Sequence, residues 1–349
     1  MKTITKLFLV ILSASSLVLS SANAGELSVS GGATATLMQG GSDNSMGKAI
    51  GVSNELDFNA SGELDNGYTW VWQVESDPDQ GATSAFQNDD SRMEITMGDM
   101  GKLGLYVSEG SISSKYAWDA SAYTSITDTG GSEGITYPAN LGSYNNVQYT
   151  TPALPYSTTI TFGYGNNPSQ EAASSNATGT GERTANMTSY RLKTSPIDGL
   201  AISATYSDVD EPSKTTNATE DRQEEEGGSI GAMYKTGAFS IGYGKSWKAN
   251  TLAAATYAGA TSVEYVENTG MSIAFAVNDA MTVSLTDENS EQNYGTSTTV
   301  NYEIDVTSVQ LAYNLGGATL SLARTETDNA SYTQNKDLGE TIVAIAMAF

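Results

Sequence analysis

The chain has 349 residues, of which 39% are hydrophobic, 16% are charged and 35 are glycine, a profile of neither a disordered chain nor an ordinary helical enzyme. Forty acidic against 16 basic residues leave a net charge of −24, a field that repels phosphate backbones and excludes nucleic acid as a partner. With no His and no Cys, the chain cannot build a Ser-His-Asp or Cys-His mechanism, a His/Cys zinc site, a c-type haem attachment or a disulfide.

Residues 1–24 read as a cleaved secretory signal peptide. Lys2 and Lys6 flank the start of the apolar run Leu7-Phe8-Leu9-Val10-Ile11-Leu12, and Ala22-Asn23-Ala24 makes a small-x-small site before Gly25. Ser13, Ser15 and Ser16 interrupt the run well short of the roughly 20 apolar residues a membrane anchor needs. Cleavage removes Lys2 and Lys6 and leaves residues 25–349 with net charge −26. No later segment reaches the length of a transmembrane helix, so any membrane role falls to strands.

From residue 25 the pattern has period two. Apolar and aromatic residues alternate with Thr, Ser, Gly and Gln over segments of about ten, the length of a tilted membrane-spanning strand. The first, 25–38, alternates Leu27, Val29, Ala33, Ala35 and Leu37 with Ser28, Ser30, Thr34 and Thr36. It is followed by 49–62 and by 67–76, where Tyr68, Trp70, Trp72 and Val74 share one face. Segments 90–98, 101–108, 144–152 and 155–165 come next, the last alternating Ile160, Phe162 and Tyr164 with Thr161 and Gly163. Segments 184–195, 199–209, 227–236, 238–247, 263–277, 280–288, 301–314, 317–327 and 338–349 complete sixteen predicted strands.

Tight turns such as Asp65-Asn66-Gly67, Asn278-Asp279 and Leu315-Gly316-Gly317 carry the residues of hairpin loops. They alternate with longer polar connections such as 77–90, 166–183, 208–226 and 288–299. Seven tight turns and eight long loops, with both termini on the tight-turn side, are the count of an all-β, antiparallel transmembrane barrel closed between its first and last strands. A soluble sandwich, single or tandem, also alternates but rarely runs to sixteen strands without a second core. A barrel of this size holds an aqueous lumen, so its polar face is expected inside and its apolar face in lipid. Tyr68, Tyr149, Tyr156, Tyr164, Tyr243, Tyr313 and Phe349 fall near strand ends, where aromatic rings suit the headgroup boundary. The last segment sets Val343, Ile345, Met347 and Phe349 on one face and resembles the C-terminal assembly signal of outer-membrane barrels.

Three stretches carry a family resemblance: Met97-Gly98-Asp99-Met100-Gly101-Lys102-Leu103-Gly104-Leu105, Tyr144-Asn145-Asn146-Val147-Gln148-Tyr149-Thr150-Thr151-Pro152, and Leu311-Ala312-Tyr313-Asn314-Leu315-Gly316 with the Phe349 terminus. Together they resemble the general porins of Gram-negative outer membranes, and the alphaproteobacterial members more than the enterobacterial ones. The likeness is topological over residues 25–349 and motif-level over about 30 residues. It implies a single barrel domain, a homotrimer, exposure to outer-membrane lipid and lipopolysaccharide, and a third long loop, 108–143, folded inward. Trp118, Tyr123 and Ile126 give that loop apolar side chains to set against the wall.

Strand parity sorts the charges. With Met93, Ile95 and Met97 in lipid, Arg92 and Glu94 face the lumen; with Tyr190 and Leu192 in lipid, Arg191 and Lys193 do. Glu55, Asp57 and Glu75 fall inside by the same rule. The resemblance implies basic wall residues, here Arg92, Arg191 and Lys193, opposed to loop acids, here Glu109, Asp119, Asp128 and Glu133, with Lys115 as the loop's cation. Ser108-Glu109 stands where the family has a basic residue after the fifth strand, and the enterobacterial acidic loop motif is absent. Each of these charges can also be read as a solvated lumen charge.

Glu224-Glu225-Glu226 and Asp208-Val209-Asp210-Glu211 resemble calcium-ligand runs. Without an EF-hand loop they read as solvated loop charges, with weak Ca²⁺ binding the most they imply, and no cofactor is expected. Gly163-Tyr164-Gly165 and Gly242-Tyr243-Gly244 precede no helix that would hold a phosphate, so they are not nucleotide loops. The expected function is passive diffusion of small hydrophilic solutes and ions through a mildly cation-selective channel. The other reading is a secreted or surface structural β-protein, an adhesin or lattice subunit.

Overall fold

The computed structural model describes residues 25–40, 48–76, 90–126, 134–166, 186–210, 221–253, 262–295 and 302–349. The expected signal peptide lies outside them. The period-two segments fold as strands β1 (Glu26–Gly40), β2 (Lys48–Glu63), β3 (Thr69–Ser76), β4 (Ser91–Thr96), β5 (Lys102–Val107), β6 (Asn146–Thr150), β7 (Thr159–Asn166), β8 (Asn186–Thr194) and β9 (Leu200–Asp210). After β10 (Asp221–Gln223) come β11 (Glu225–Thr236), β12 (Phe239–Ala249), β13 (Leu252–Ala253), β14 (Val263–Asn278), β15 (Met281–Tyr294), β16 (Glu303–Asn314), β17 (Thr319–Asp328) and β18 (Leu338–Ala348). β10 and β13 form a small ribbon of their own, and the other sixteen strands make one closed antiparallel barrel.

Chain neighbours pair around the ring, and β1 pairs with β18 from Gly32↔Ala348 to Gly40↔Glu340. Beyond that register Gly31 and Phe349 exchange two backbone hydrogen bonds of 3.0 Å. Closure leaves no strand edge, so every ladder group has a partner without water. It also removes the sandwich reading. Gly237 and Gly316, at φ of 56° and 92°, supply the left-handed backbone that the two shortest kinds of hairpin need.

The two faces of the barrel differ in kind. Leu27 and Val29 on β1, Met271, Ile273 and Phe275 on β14, Leu285 on β15, Val309 on β16 and Leu322 on β17 are exposed. Ser272, Ser284, Thr286, Ser308, Gln310, Ser321 and Thr325, their neighbours on the opposite face, are buried. A water-soluble fold has the reverse arrangement. An exposed apolar band running round a closed barrel belongs in hydrocarbon. Val343, Ile345, Met347 and Phe349 lie in this band beside Leu322 and Leu37.

Three strands, β15, β9 and β11, keep pairing beyond their hydrophobic pattern. β15 continues to Tyr294 rather than ending at 288, because pairing persists where Asp287, Asn289 and Glu291 replace the apolar residues of its exposed face. The acidic runs are corrected in the same way. Asp208 and Asp210 belong to β9, Glu225 and Glu226 to β11, with Glu226 paired to Asp208. Glu225 also meets Lys248 at 3.0 Å. They are strand residues beyond the apolar band, not loop charges.

The partition makes a prediction. Val309→Arg places a charge on the apolar face and should cost about 2–4 kcal/mol at bilayer mid-depth, read by denaturant unfolding in lipid vesicles. Thr34→Arg, on the polar face, should change stability far less; equal losses would mean that the apolar face is not the lipid face.

Candidate functional site

The longest connection with described structure leaves β5 and returns at β6. Its residues 108–126 and 134–143 are described; Asp128 and Glu133 lie outside the described residues. Both ends are clamped by two amides of the strand that follows. Asn146 Nδ2 donates to the carbonyls of Glu109, Leu141 and Tyr144 at 2.8–3.1 Å, and Gln148 Nε2 donates to the carbonyl of Gly110 and to Asn146 Oδ1. The Asn-x-Gln of the sixth strand is therefore the hinge of the connection. Ser108 and Gly110, at φ of 53° and 80°, turn the chain sharply at its exit.

Beyond the hinge the segment crosses the polar face of one strand after another. Ser114 Oγ lies 2.5 Å from Ser203 Oγ on β9. Ala120 N donates to Ser272 Oγ on β14 and Ala122 N to Ser284 Oγ on β15, both at 2.9 Å. Tyr123 N reaches Gln310 Oε1 on β16 at 2.8 Å. The returning part brings Thr136 O to Asn268 Nδ2 at 3.0 Å and Tyr137 OH to Glu288 at 2.8 Å. Buried wall hydroxyls and amides thus find partners in the segment, as buried polar groups must.

Apolar contacts interrupt this polar surface in three places. Ile112 and Leu141 pack with Met187 and Val209. Trp118 and Ile126 pack with Ile304 and Val306. Tyr123 packs against Ala323, Ile342 and Ala344. All three side chains expected to pack do so, against wall residues whose apolar character breaks the alternation of their own strands.

The charges gather near the hinge. Arg92 Nη1 meets Glu109 Oε1 at 2.7 Å, and Lys102 Nζ meets Glu94 Oε1 at 2.6 Å. Tyr106 OH donates to the same Glu94 oxygen at 2.5 Å. Arg191 Nη1 donates to Ser111 O at 2.7 Å, and Lys193 follows two residues later on the same face. Burial raises the Glu109 carboxyl above the usual range, and the Arg92 guanidinium only partly opposes the rise. Asp119 accepts from the backbone N–H of Ser121 and of Ile126 at 2.8 and 3.3 Å, which fixes the turn around it. Lys115 Nζ sits 4.6 Å from the Tyr116 ring and 4.2 Å from the Tyr137 ring. Burial, then the Glu288 charge, drives the Tyr137 hydroxyl far above its ordinary value.

Arg92, Arg191 and Glu109 are thus brought together, Lys193 beside them, while Asp119 lies further along the segment. Sequence reading missed Lys102 and Tyr106, although parity alone sets both on the face of Glu94. It also missed Asn146, Gln148 and Glu288, whose roles depend on contacts across the barrel. Among the described residues, Glu55, Asp57 and Glu75 are carboxylates close enough to share a cation, their oxygens within 4.8 Å of one another. Gln73 Nε2 already donates to Asp57 at 2.7 Å.

No protein-family model matches the chain, and no curated protein matches it by sequence. Solved structures do. A porin refined at 1.8 Å resolution superposes with a TM-score of 0.64 at 17% identity, covering 93% of this chain and all of that one. The Salmonella typhi OmpF complex with daunomycin gives 0.65 at 12% identity over 93% and 98% of the two chains. An anion-selective porin from Comamonas acidovorans gives 0.64 at 12% over 93% and 100%. Across nearly its whole length, the chain has the fold of these porins.

Proposed function

We propose that the protein is a porin-type channel of the Gram-negative outer membrane, passing small hydrophilic solutes and ions passively, with a modest preference for cations. The observation that carries this is a closed sixteen-strand barrel whose exposed band is apolar while a charged segment crosses its polar face. Sixteen strands enclose more space than wall side chains fill, so the polar face lines water and the segment narrows it. In this reading Arg92, Lys102, Arg191 and Lys193 stand on one stretch of the wall and Glu109 and Asp119 on the segment.

The charge balance supports the sign. Arg92 and Lys102 are each matched by a carboxylate, and the whole chain carries 40 acids against 16 bases. Carboxylates around a narrow, low-dielectric mouth enrich cations. The Comamonas acidovorans structure is named anion-selective on the same fold, so the sign belongs to side chains rather than to the barrel. The trimeric assembly and the reading of Phe349 by the assembly machinery are part of this proposal.

Purified protein should form pores in planar bilayers and run as a heat-modifiable trimer. Absence of conductance from a folded sample sinks the channel, and a monomer by mass in mild detergent sinks the trimer. A KCl gradient should give a cation-selective reversal potential that weakens as salt rises, since the Debye length shrinks from about 10 Å at 0.1 M to about 3 Å at 1 M. Neutralising Asp119, Asp128 and Glu133 together should move that potential toward zero.

Glu109 adds a pH dependence. Because burial raises its carboxyl, it takes up a proton at a higher pH than exposed glutamates do. Arg92 then loses its counter-charge and the hinge region becomes more positive. Cation preference should therefore fall on acidification before exposed carboxylates titrate, and Glu109→Gln should reduce that early component. An unchanged titration in Glu109→Gln would remove Glu109 from the constriction.

A further inference from the structure

Trp118 is 2% exposed, yet it belongs to a connection rather than to a core. Its indole lies over two glycines of adjacent strands, Gly244 on β12 and Gly270 on β14, and its backbone carbonyl lies over Gly242 on β12; a Cβ at any of the three would overlap the tryptophan. Gly231 on β11 extends the recess under Ala117. Polar contacts fix the tryptophan's backbone and ring in this bay. Nε1 donates to Lys115 O at 2.6 Å; Ser272 Oγ donates to Trp118 O at 2.6 Å and accepts from Ala120 N at 2.9 Å. Ile126, Ile304 and Val306 complete the apolar surround.

Gly242-Tyr243-Gly244 has a counterpart. In Gly163-Tyr164-Gly165 on β7, a Cβ at Gly163 would meet Leu141 and Ile112, and one at Gly165 would meet Leu141. Both tyrosines are exposed on the apolar face. In each motif the glycines leave room on the polar side for the crossing segment, while the tyrosine between them faces lipid.

Resting on the channel reading above, we propose that Trp118 in its bay of Gly242, Gly244 and Gly270 is the pin that sets the aperture: a positioning residue that holds the crossing segment against β12 and β14. The hinge at Asn146 and Gln148 fixes where the segment begins and ends; Trp118 fixes how closely its middle follows the wall. Without the indole, the segment keeps its ends and loses the largest side chain holding it flat.

Single-channel recording tests the pin. Trp118→Ala should change the unitary conductance and raise open-channel noise, while Trp118→Phe, which still fills the bay, should stay near wild type. Gly270→Ala should reproduce the Trp118→Ala record by expelling the ring from the other side. Because the chain has no cysteine, a tether can be added cleanly. Ser114→Cys with Ser203→Cys replaces two oxygens 2.5 Å apart, close to the roughly 2.0 Å of a disulfide. In the Trp118→Ala background, oxidation of this pair should restore the wild-type record and reduction should abolish the rescue. Pores of unaltered conductance and noise in both Trp118→Ala and Gly270→Ala would overturn the pin while leaving the channel standing. A tether without effect on an altered Trp118→Ala pore would show that the change is not one of segment position, and would overturn it too. Should Trp118→Ala fail to fold, the comparison of Gly270→Ala with wild type decides by the same readout. If no variant and no wild-type protein conducts, the channel reading itself fails.

Discussion

Each barrel strand of this protein separates two media, and consecutive residues are assigned to them in turn. This period-two constraint underlies everything else in the structure. A residue on one face meets hydrocarbon; the next meets water or the crossing segment. Because ladder closure satisfies the backbone, side chains are free to differ wholly between faces. Phe162 and Tyr164 can therefore sit exposed on β7 while Gly163 and Gly165, between and beside them, yield space to Leu141.

The crossing segment obeys the same rule from the other side. Among its described residues it forms no ladder, so its backbone groups are satisfied one at a time, by turns and by Asp119 within the segment and by wall side chains. Ser272, Ser284 and Gln310 do this along its outward run, and Asn268 on its return. Its apolar side chains go where the wall has lost either polarity, as at Ile304 and Val306, or bulk, as at the glycines. Two ion pairs, Arg92–Glu109 and Lys102–Glu94, lie at the hinge. There Arg92 meets Glu109 where wall and segment join, and Asn146 holds the carbonyl of the same glutamate, so one small group of residues fixes both a charge and the start of the segment.

How much of this could be read in advance follows from what period two records. All sixteen barrel strands were legible, since each strand inside the lipid band carries alternating apolar residues. Legibility failed where the band ends: β15 beyond Glu288 and the acidic stretches of β9 and β11 keep their pairing but lose their hydrophobic mark. Arg92, Arg191 and Glu109 were identified by parity or by position. Lys102, inside the Met97–Leu105 motif, and Tyr106, just after it, were open to the same rule. Asn146, Gln148 and Glu288 were not accessible to it, because their partners lie up to 151 residues away in the chain. The two Gly-Tyr-Gly triplets were visible as motifs, but their meaning required seeing what lies over the glycines.

Closure between the first and last strands has a consequence for how the chain is made. The hydrogen bonds between Gly31 and Phe349, and the pairing of Gly32 with Ala348 beside them, connect the first strand to the last, and no shorter fragment offers either edge a substitute. Contacts of such high sequence separation carry a large loop-closure cost and form slowly. Until they form, the growing sheet presents two unpaired edges able to capture any other strand. Delivery of a complete, unaggregated chain is therefore a kinetic requirement of the topology, and the interval before β18 reaches β1 is when the protein is most exposed to misassembly.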